Sequence, residues 1–137
     1  MLGNKAMLGK LVLGFSALVF ISYGVVSFIS PAIPAGFAGI VMSNGDAFAE
    51  IGSMYGGLQT GIGVFCLLAA VKQEYYRGGL AVLVIGVGAL AIARLVSALV
   101  TPDPLTSYTW GALIYELATV LVAGIALRQS YGMHKQP

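Results

Sequence analysis

The sequence predicts an all-α integral membrane protein, a four-helix bundle in a single membrane domain over residues 1–137. Composition is the first indication, because 58% of the residues are apolar and only 9% are charged. A soluble domain usually carries about 25% charged residues, so this chain could not cover a surface that faces water. Mean hydropathy is correspondingly high at +0.92. The second indication is four long apolar segments.

These segments cover about residues 11–29, 47–71, 78–100 and 108–127. Crossing a hydrocarbon core of roughly 30 Å takes about 20 helical residues, so each segment is long enough. Helices are expected because lipid offers the backbone polar groups no other partner. Thr101-Pro102 should end the third helix, and Thr106 or Ser107 should cap the fourth. The connections are short, so consecutive helices should be antiparallel neighbours.

The basic residues predict the orientation. Connections 30–46 and 101–107 contain no Lys or Arg, and six of the seven basic residues therefore lie on the other side: Lys5, Lys10, Lys72, Arg77, Arg128 and Lys135. The positive-inside rule makes that side cytoplasmic and places both termini there. An alternative is a cleaved signal peptide with "SPAIPAG" as its cleavage site. Its 19-residue apolar core would exceed the usual length of about 7–15, so we expect an intact N-terminus.

Residues 33–42 allow two interpretations. Helical spacing relates Ile33, Phe37, Ile40 and Val41, which is typical of a short amphipathic helix that lies in the membrane interface and could serve as a lid over the bundle. The alternative is a Pro/Gly loop that makes some apolar contact.

Three charged residues fall inside the predicted spans. Arg94 lies about 10 Å and Glu116 about 12 Å below the same membrane surface, whereas Glu50 lies about 5 Å deep in the second span. A lone charge near the bilayer centre costs on the order of 3 kcal/mol or more. We therefore expect Arg94 and Glu116 to pair, with Glu50 or Tyr55 as a further partner. The pair could be purely structural, and Glu50 could serve only to stabilise a helix N-terminus.

The second span contains the segment "EIGSMYGGLQTGIG", residues 50–63. At 100° per residue, Glu50, Ser53, Gly57 and Gly61 fall on one side, and Gly52, Gly56, Gln59 and Gly63 fall nearly opposite. Small residues on both sides predict close helix packing at Gly52, Gly56, Gly57, Gly61 and Gly63. The functional alternative is that these glycines open space for a ligand next to Tyr55 and Gln59.

The other spans also carry stripes of small or polar residues that should face inward. The predicted stripes are Ser16, Tyr23, Ser27 and Ser30 in the first span, Arg94, Ser97 and Thr101 in the third, and Thr109, Ala112, Glu116, Thr119 and Ala123 in the fourth. Leu113, Leu117 and Leu121 should lie on other faces. Cys66 is the single cysteine and His134 is isolated, so the sequence predicts no disulfide, metal site or catalytic residue.

Three segments carry a family resemblance: "EIGSMYGGLQTGIG", "ARLVSALV" and "YELA". Over about residues 10–130 the chain resembles small bacterial four-helix membrane proteins known only as a domain of unknown function. The matching positions are Glu50, Tyr55, Gly56, Gly57, Arg94 and Glu116. The chain is more distantly similar to the DoxX-like superfamily, some members of which accompany quinone-linked oxidoreductases. The resemblance implies a bacterial inner (plasma) membrane protein with a site, but no settled activity.

The polar cluster predicts a non-enzymatic protein with a periplasm-facing polar pocket. It would bind a lipophilic small molecule, such as a lipid or quinone, or act as an accessory subunit. Besides the lipid bilayer, its partner would be a membrane protein or a second copy, and not nucleic acid. A proton-coupled transporter using Glu116 or Glu50 is less favoured, since the inner half is almost wholly apolar. A third hypothesis is a quinone-linked or isomerase-type enzyme with Glu50 and Tyr55 as its acid.

Overall fold

A computed structural model describes residues 2–132, with side chains from residue 6 onward. This part of the chain is helical apart from short connections, and it contains no strand. The helices are α1 (Leu2–Ile29), α2 (Ala32–Ala38), α3 (Gly45–Ile51), α4 (Leu58–Val71), α5 (Tyr76–Val82), α6 (Gly88–Val100) and α7 (Ser107–Gly132). The predicted all-α class is confirmed.

Among the described residues 2–132, four stretches of helix are long and apolar enough to cross a membrane: Ala6–Ile29, Gly45–Val71, Tyr76–Val100 and Ser107–Gly132. They contain 24, 27, 25 and 26 residues, and we refer to them as the first to fourth spans. Each predicted span lies within one of these stretches, and the chain is a multi-pass membrane protein. These stretches extend up to five residues beyond the predicted bounds, because Lys10 and Arg128 interrupt the apolar pattern without interrupting the helical backbone.

The second and third spans each contain a π-helical turn that the sequence did not predict. Gly52–Gly57 joins α3 to α4, and Leu83–Val87 joins α5 to α6. A π turn widens the helix and weakens its regular hydrogen bonding. In the second span the hydroxyl of Thr60 compensates, because its Oγ1 donates to the carbonyl of Gly56 at 2.8 Å. Each turn thus introduces a local irregularity into a membrane-spanning helix.

Residues 15–65 form one compact unit, within which glycines bring the first and second spans together. A Cβ atom on Gly56 would lie 2.9 Å from the Cα of Phe28, and one on Gly63 would lie 2.8 Å from the backbone nitrogen of Ile21. Only glycine permits so close an approach of two helix backbones. The prediction of close packing is therefore confirmed at Gly56 and Gly63.

The other three glycines of the second span behave differently. A Cβ on Gly52 would be in ordinary contact with Pro31, at 3.9 Å. Gly57 and Gly61 are exposed, and a Cβ on either would meet nothing within 4 Å. Within the unit of residues 15–65, Gly57 and Gly61 make no close contact with the first span, because only one side of the second span faces it. Contact with a second copy stays a prediction.

The same unit contains the short helix expected after the first span. Helix α2 ends at Gly39, whose φ of 69° is the left-handed conformation that favours glycine. Pro34 and Ala35 are buried, whereas Ile33 and Phe37 are exposed. The helical interpretation is confirmed for residues 32–38, but Ile40 and Val41 lie beyond the helix. The interfacial position and the lid role stay predictions.

The described residues of 2–14 and 66–132 form the other compact unit. Its fourth span buries a stripe of mostly small or polar residues at spacings of three and four: Leu113, Glu116, Thr119, Ala123, Ala126 and Ser130. Leu117 and Leu121 are exposed as predicted, but Leu113 is buried, so its predicted position was wrong. Leucine and threonine are both compatible with a packed helix face, so side-chain polarity did not distinguish the buried positions from the exposed ones.

In this unit, side-chain contacts link the start of the third span to the end of the fourth. The Arg77 side chain donates from Nη2 to the carbonyl oxygen of Ser130 at 2.8 Å, and its guanidinium carbon lies 4.9 Å from the ring centroid of Tyr131. A cation near the last carbonyls of a helix is favourable, because those groups carry partial negative charge. Tyr76 is buried beside Arg77, and its hydroxyl donates to the Ala6 carbonyl at 3.4 Å.

Gly56→Ala should destabilise the protein by about 1–3 kcal/mol, because the new methyl group would overlap the backbone of Phe28. Gly57→Ala is the matched control, since it lies in the same π turn and faces open space. Thermal unfolding in mild detergent measures both. Equal melting temperatures for the two variants would contradict the packing described above.

Candidate functional site

Arg94 lies in the last turns of the third span. Helix α6 ends at Val100 because Thr101, which precedes Pro102, is extended with φ −74° and ψ 135°. The fourth span begins six residues later, at Ser107. This short connection brings the end of α6 next to the start of α7. Arg94 and Glu116 therefore approach each other from neighbouring helices, at similar depth below the connection.

Arg94 and Glu116 form an ion pair, as the sequence predicts. The Arg94 Nε lies 3.0 Å from both carboxylate oxygens of Glu116, and Nη2 lies 2.7 Å from Oε1. Charge-assisted hydrogen bonds of this kind are among the strongest in proteins. Both carboxylate oxygens accept from the same guanidinium, which fixes the orientation of the two side chains. The pair links the third span directly to the fourth.

The two partners are not equally buried. The Glu116 side chain is 7% exposed, whereas that of Arg94 is 27% exposed. Glu116 belongs to the buried stripe of the fourth span, but none of residues 92–100 in the third span is buried. Arg94 thus extends from a loosely packed stretch of helix to a carboxylate in the core. Its remaining surface faces outward from the pair.

A groove of about 440 Å³ lies beside Arg94, entirely within this unit. It is formed by α6, the connection 101–106 and the first turn of α7, and it is lined by Leu90, Ala93, Arg94, Ser97, Ala98, Thr101, Leu105 and Thr109. Its volume is within the roughly 300–1,000 Å³ typical of small-molecule sites. The groove exists because the buried stripe of the third span stops at Ala91.

Small and hydroxyl-bearing side chains define the chemistry of the groove. Ser97 and Thr101 are three and seven residues after Arg94, on the same side of α6, as the sequence predicts. Thr109 adds a third hydroxyl from α7. The Oγ1 of Thr101 accepts from the backbone nitrogen of Asp103 at 3.3 Å, so its own hydrogen is left to donate. Leu90 and Leu105 form the apolar part of the groove wall.

The sequence prediction did not identify Leu90, Ala93, Ala98 and Leu105 as part of this site. Leu90 and Ala98, four residues before and after Arg94, share its helix face, so helical spacing carried a usable signal for these two. Ala93 precedes Arg94 directly and does not share its face, so spacing gave no signal for it. Leu105 had no such signal, because it lies in a connection without regular structure. In the sequence alone, an alanine next to a charged residue gives no indication that it lines a cavity.

The remaining predicted site residues belong to the compact unit of residues 15–65. Glu50 is exposed, and its carbonyl accepts from the hydroxyl of Ser53 at 3.0 Å. The ring of Tyr55 packs edge-on against that of Tyr23, with centroids 6.4 Å apart and planes at 61°. Gln59 is half-buried. Their membership of one site with Arg94 and Glu116 stays a prediction.

Removing one member of the ion pair should cost more than removing both. Arg94→Met would leave the buried carboxylate of Glu116 without its partner, a loss of about 3–5 kcal/mol for a buried pair. Glu116→Gln should cost less, because Arg94 is more exposed and can turn toward the groove. The double variant should recover a good part of the loss. The double-mutant cycle compares the melting temperatures, in detergent, of the wild-type protein, the two single variants and the double variant.

Additive losses in this cycle would show that the two residues are not energetically coupled. A larger loss for Glu116→Gln than for Arg94→Met would contradict the burial argument instead. Leu117→Ala, at an exposed position next to Glu116, controls for nonspecific effects of substitution in the fourth span.

Comparison with known proteins bears on this arrangement at the level of the family. A family model described as a domain of unknown function, DUF4345, matches residues 8–127, which include the ion pair and the whole groove. The more distant DoxX-like similarity stays a prediction. Neither the curated proteins nor the solved structures contain a match to the chain. The match covers most of the sequence, and the chain therefore belongs to the DUF4345 family.

Proposed function

We propose that this protein binds a lipophilic small molecule in the groove beside Arg94 and acts without catalysing a reaction. The main support for this proposal is the groove itself. Its wall is partly apolar and contains a small number of polar groups, as the walls of ligand sites usually do. Its residues lie in a membrane-spanning helix and at the start of the next, so a ligand could enter from the lipid. An amphipathic molecule suits such a surface.

The ion pair supports binding better than proton chemistry. Both oxygens of Glu116 accept hydrogen bonds from Arg94, so the carboxylate is engaged in holding the guanidinium in place. A guanidinium group carries only hydrogen-bond donors, and that of Arg94 is held in one position by Glu116. A site built from one held guanidinium and three hydroxyls can orient a ligand through hydrogen bonds. The proposed role is thus recognition of an acceptor-bearing head group.

We place the protein in a bacterial inner membrane with both termini in the cytoplasm. Lys72 and Arg77 flank the connection between the second and third spans, while connections 30–44 and 101–106 contain no Lys or Arg. The groove then opens near the periplasmic surface. In a Cys66→Ala background, an impermeant thiol reagent should label Asp103→Cys but not Gln73→Cys in intact cells. The reverse pattern would contradict this orientation.

Filling the groove should remove the bound molecule. The protein is purified in mild detergent, and its lipids are extracted and quantified by mass spectrometry. Wild-type protein should retain about one equivalent of a lipophilic compound, and Ala93→Phe should retain several-fold less, because the ring would occupy the groove. Ala89→Phe is the matched control, since it is an exposed alanine of the same span outside the groove lining.

Equal retention by the wild-type protein, Ala93→Phe and Ala89→Phe would contradict ligand binding in the groove. A stoichiometric protein partner whose copurification is lost in Ala93→Phe, with no retained lipid, would favour the accessory-subunit alternative instead.

A further inference from the structure

We infer that the groove selects an uncharged amphipathic lipid, with carbonyl or hydroxyl oxygens in its head group, over an anionic lipid. This inference rests on the proposed function, and it names the chemical class of the ligand. The observations that carry it are the charges around the groove and the type of hydrogen-bonding group in its wall.

The charges at this end of the unit do not favour an additional anion. Glu116 already neutralises Arg94 through three short hydrogen-bond contacts. Asp103 lies two residues from each of Thr101 and Leu105, both of which line the groove, and its side chain carries a second negative charge. The connection 101–106 contains no Lys or Arg to offset it. An anionic head group would therefore meet one cation and two carboxylates.

The remaining polar groups suit neutral oxygens. Ser97, Thr101 and Thr109 each present a hydroxyl, which can donate one hydrogen bond and accept others. The Thr101 oxygen already accepts from Asp103, so the role left to its hydroxyl hydrogen is that of a donor. Ester carbonyls and alcohol groups match these hydroxyls without bringing a charge into a low-dielectric environment. Moving a charged head group out of water would cost more free energy than moving a neutral one.

The order of the lining residues also gives the ligand a direction. Thr101, Leu105 and Thr109 lie at or next to the connection, whereas Leu90 lies eleven residues before Thr101, about 16 Å further along the helix. The hydroxyls are thus concentrated toward the connection, and Leu90 forms the deep apolar end. The head group would lie near Thr101, and an acyl or other hydrocarbon chain would lie along Leu90.

Two lipids with the same acyl chains provide the test, namely dioleoylglycerol and dioleoylphosphatidylglycerol. Both are added in equal amounts to the detergent-purified protein, and the bound fractions are measured by native mass spectrometry. Dioleoylglycerol should be retained at least about tenfold better. Asp103→Asn should narrow that ratio, because it removes a negative charge two residues from Thr101 and Leu105 and leaves the side-chain shape nearly unchanged.

The hydroxyl contacts are tested separately. Ser97→Ala and Thr101→Val should each lower dioleoylglycerol retention about fivefold, the effect of losing one ordinary hydrogen bond. Ser53→Ala is the control, because its hydroxyl is exposed and bonds within its own helix. Melting temperatures of the variants show that each one is folded.

Preferential retention of dioleoylphosphatidylglycerol by the wild-type protein would overturn this inference and leave the proposed binding function in place. An unchanged lipid ratio in Asp103→Asn would overturn the charge argument in the same way. Retention of neither lipid would overturn the inference alone. If, in addition, no lipophilic compound copurifies with the wild-type protein, the proposed function is overturned as well.

Discussion

The Arg94–Glu116 ion pair joins two membrane-spanning helices at a point where the third span makes little other buried contact. Past Ala91, the third span has no buried residue up to its end at Val100. The guanidinium reaches from that loosely packed stretch to a carboxylate in the buried stripe of the fourth span. The groove lies beside this contact, so its shape depends on the pair.

The membrane environment explains why an ion pair, and not apolar packing, holds these two helices together. Lipid tails are as apolar as leucine, so burying apolar side chains gives little drive for helix association. Many large apolar residues of this chain accordingly lie outward, with Leu121 65% and Ile114 68% exposed. The buried positions hold leucines such as Leu80 and Leu83, but also many small residues, at which helices can approach closely. In the unit of residues 15–65, Gly56 and Gly63 provide that approach without any charge.

The sequence was sufficient for the fold class, the four spans and the ion pair. Apolar length determines a span almost independently of tertiary contacts, and two opposite charges at equal depth have few alternatives to pairing. The π turns were not predictable, because Leu83–Val87 continues the apolar pattern and the glycines of Gly52–Gly57 are equally typical of close helix packing. The groove was only partly predictable, since Ser97 and Thr101 follow from helical spacing. Its volume depends on where the helices cease to pack, which a single sequence does not encode locally.

The central claim is that Glu116 holds the last turns of the third span against the fourth. Nitroxide labels at the exposed positions Val96 and Trp110, in a Cys66→Ala background, would report the distance between these helices by electron paramagnetic resonance. A narrow distance distribution should broaden when Glu116→Gln is introduced, and it should stay narrow with the control Leu117→Ala. An equally narrow distribution in Glu116→Gln would contradict the claim, since the helices would then be held together without the ion pair.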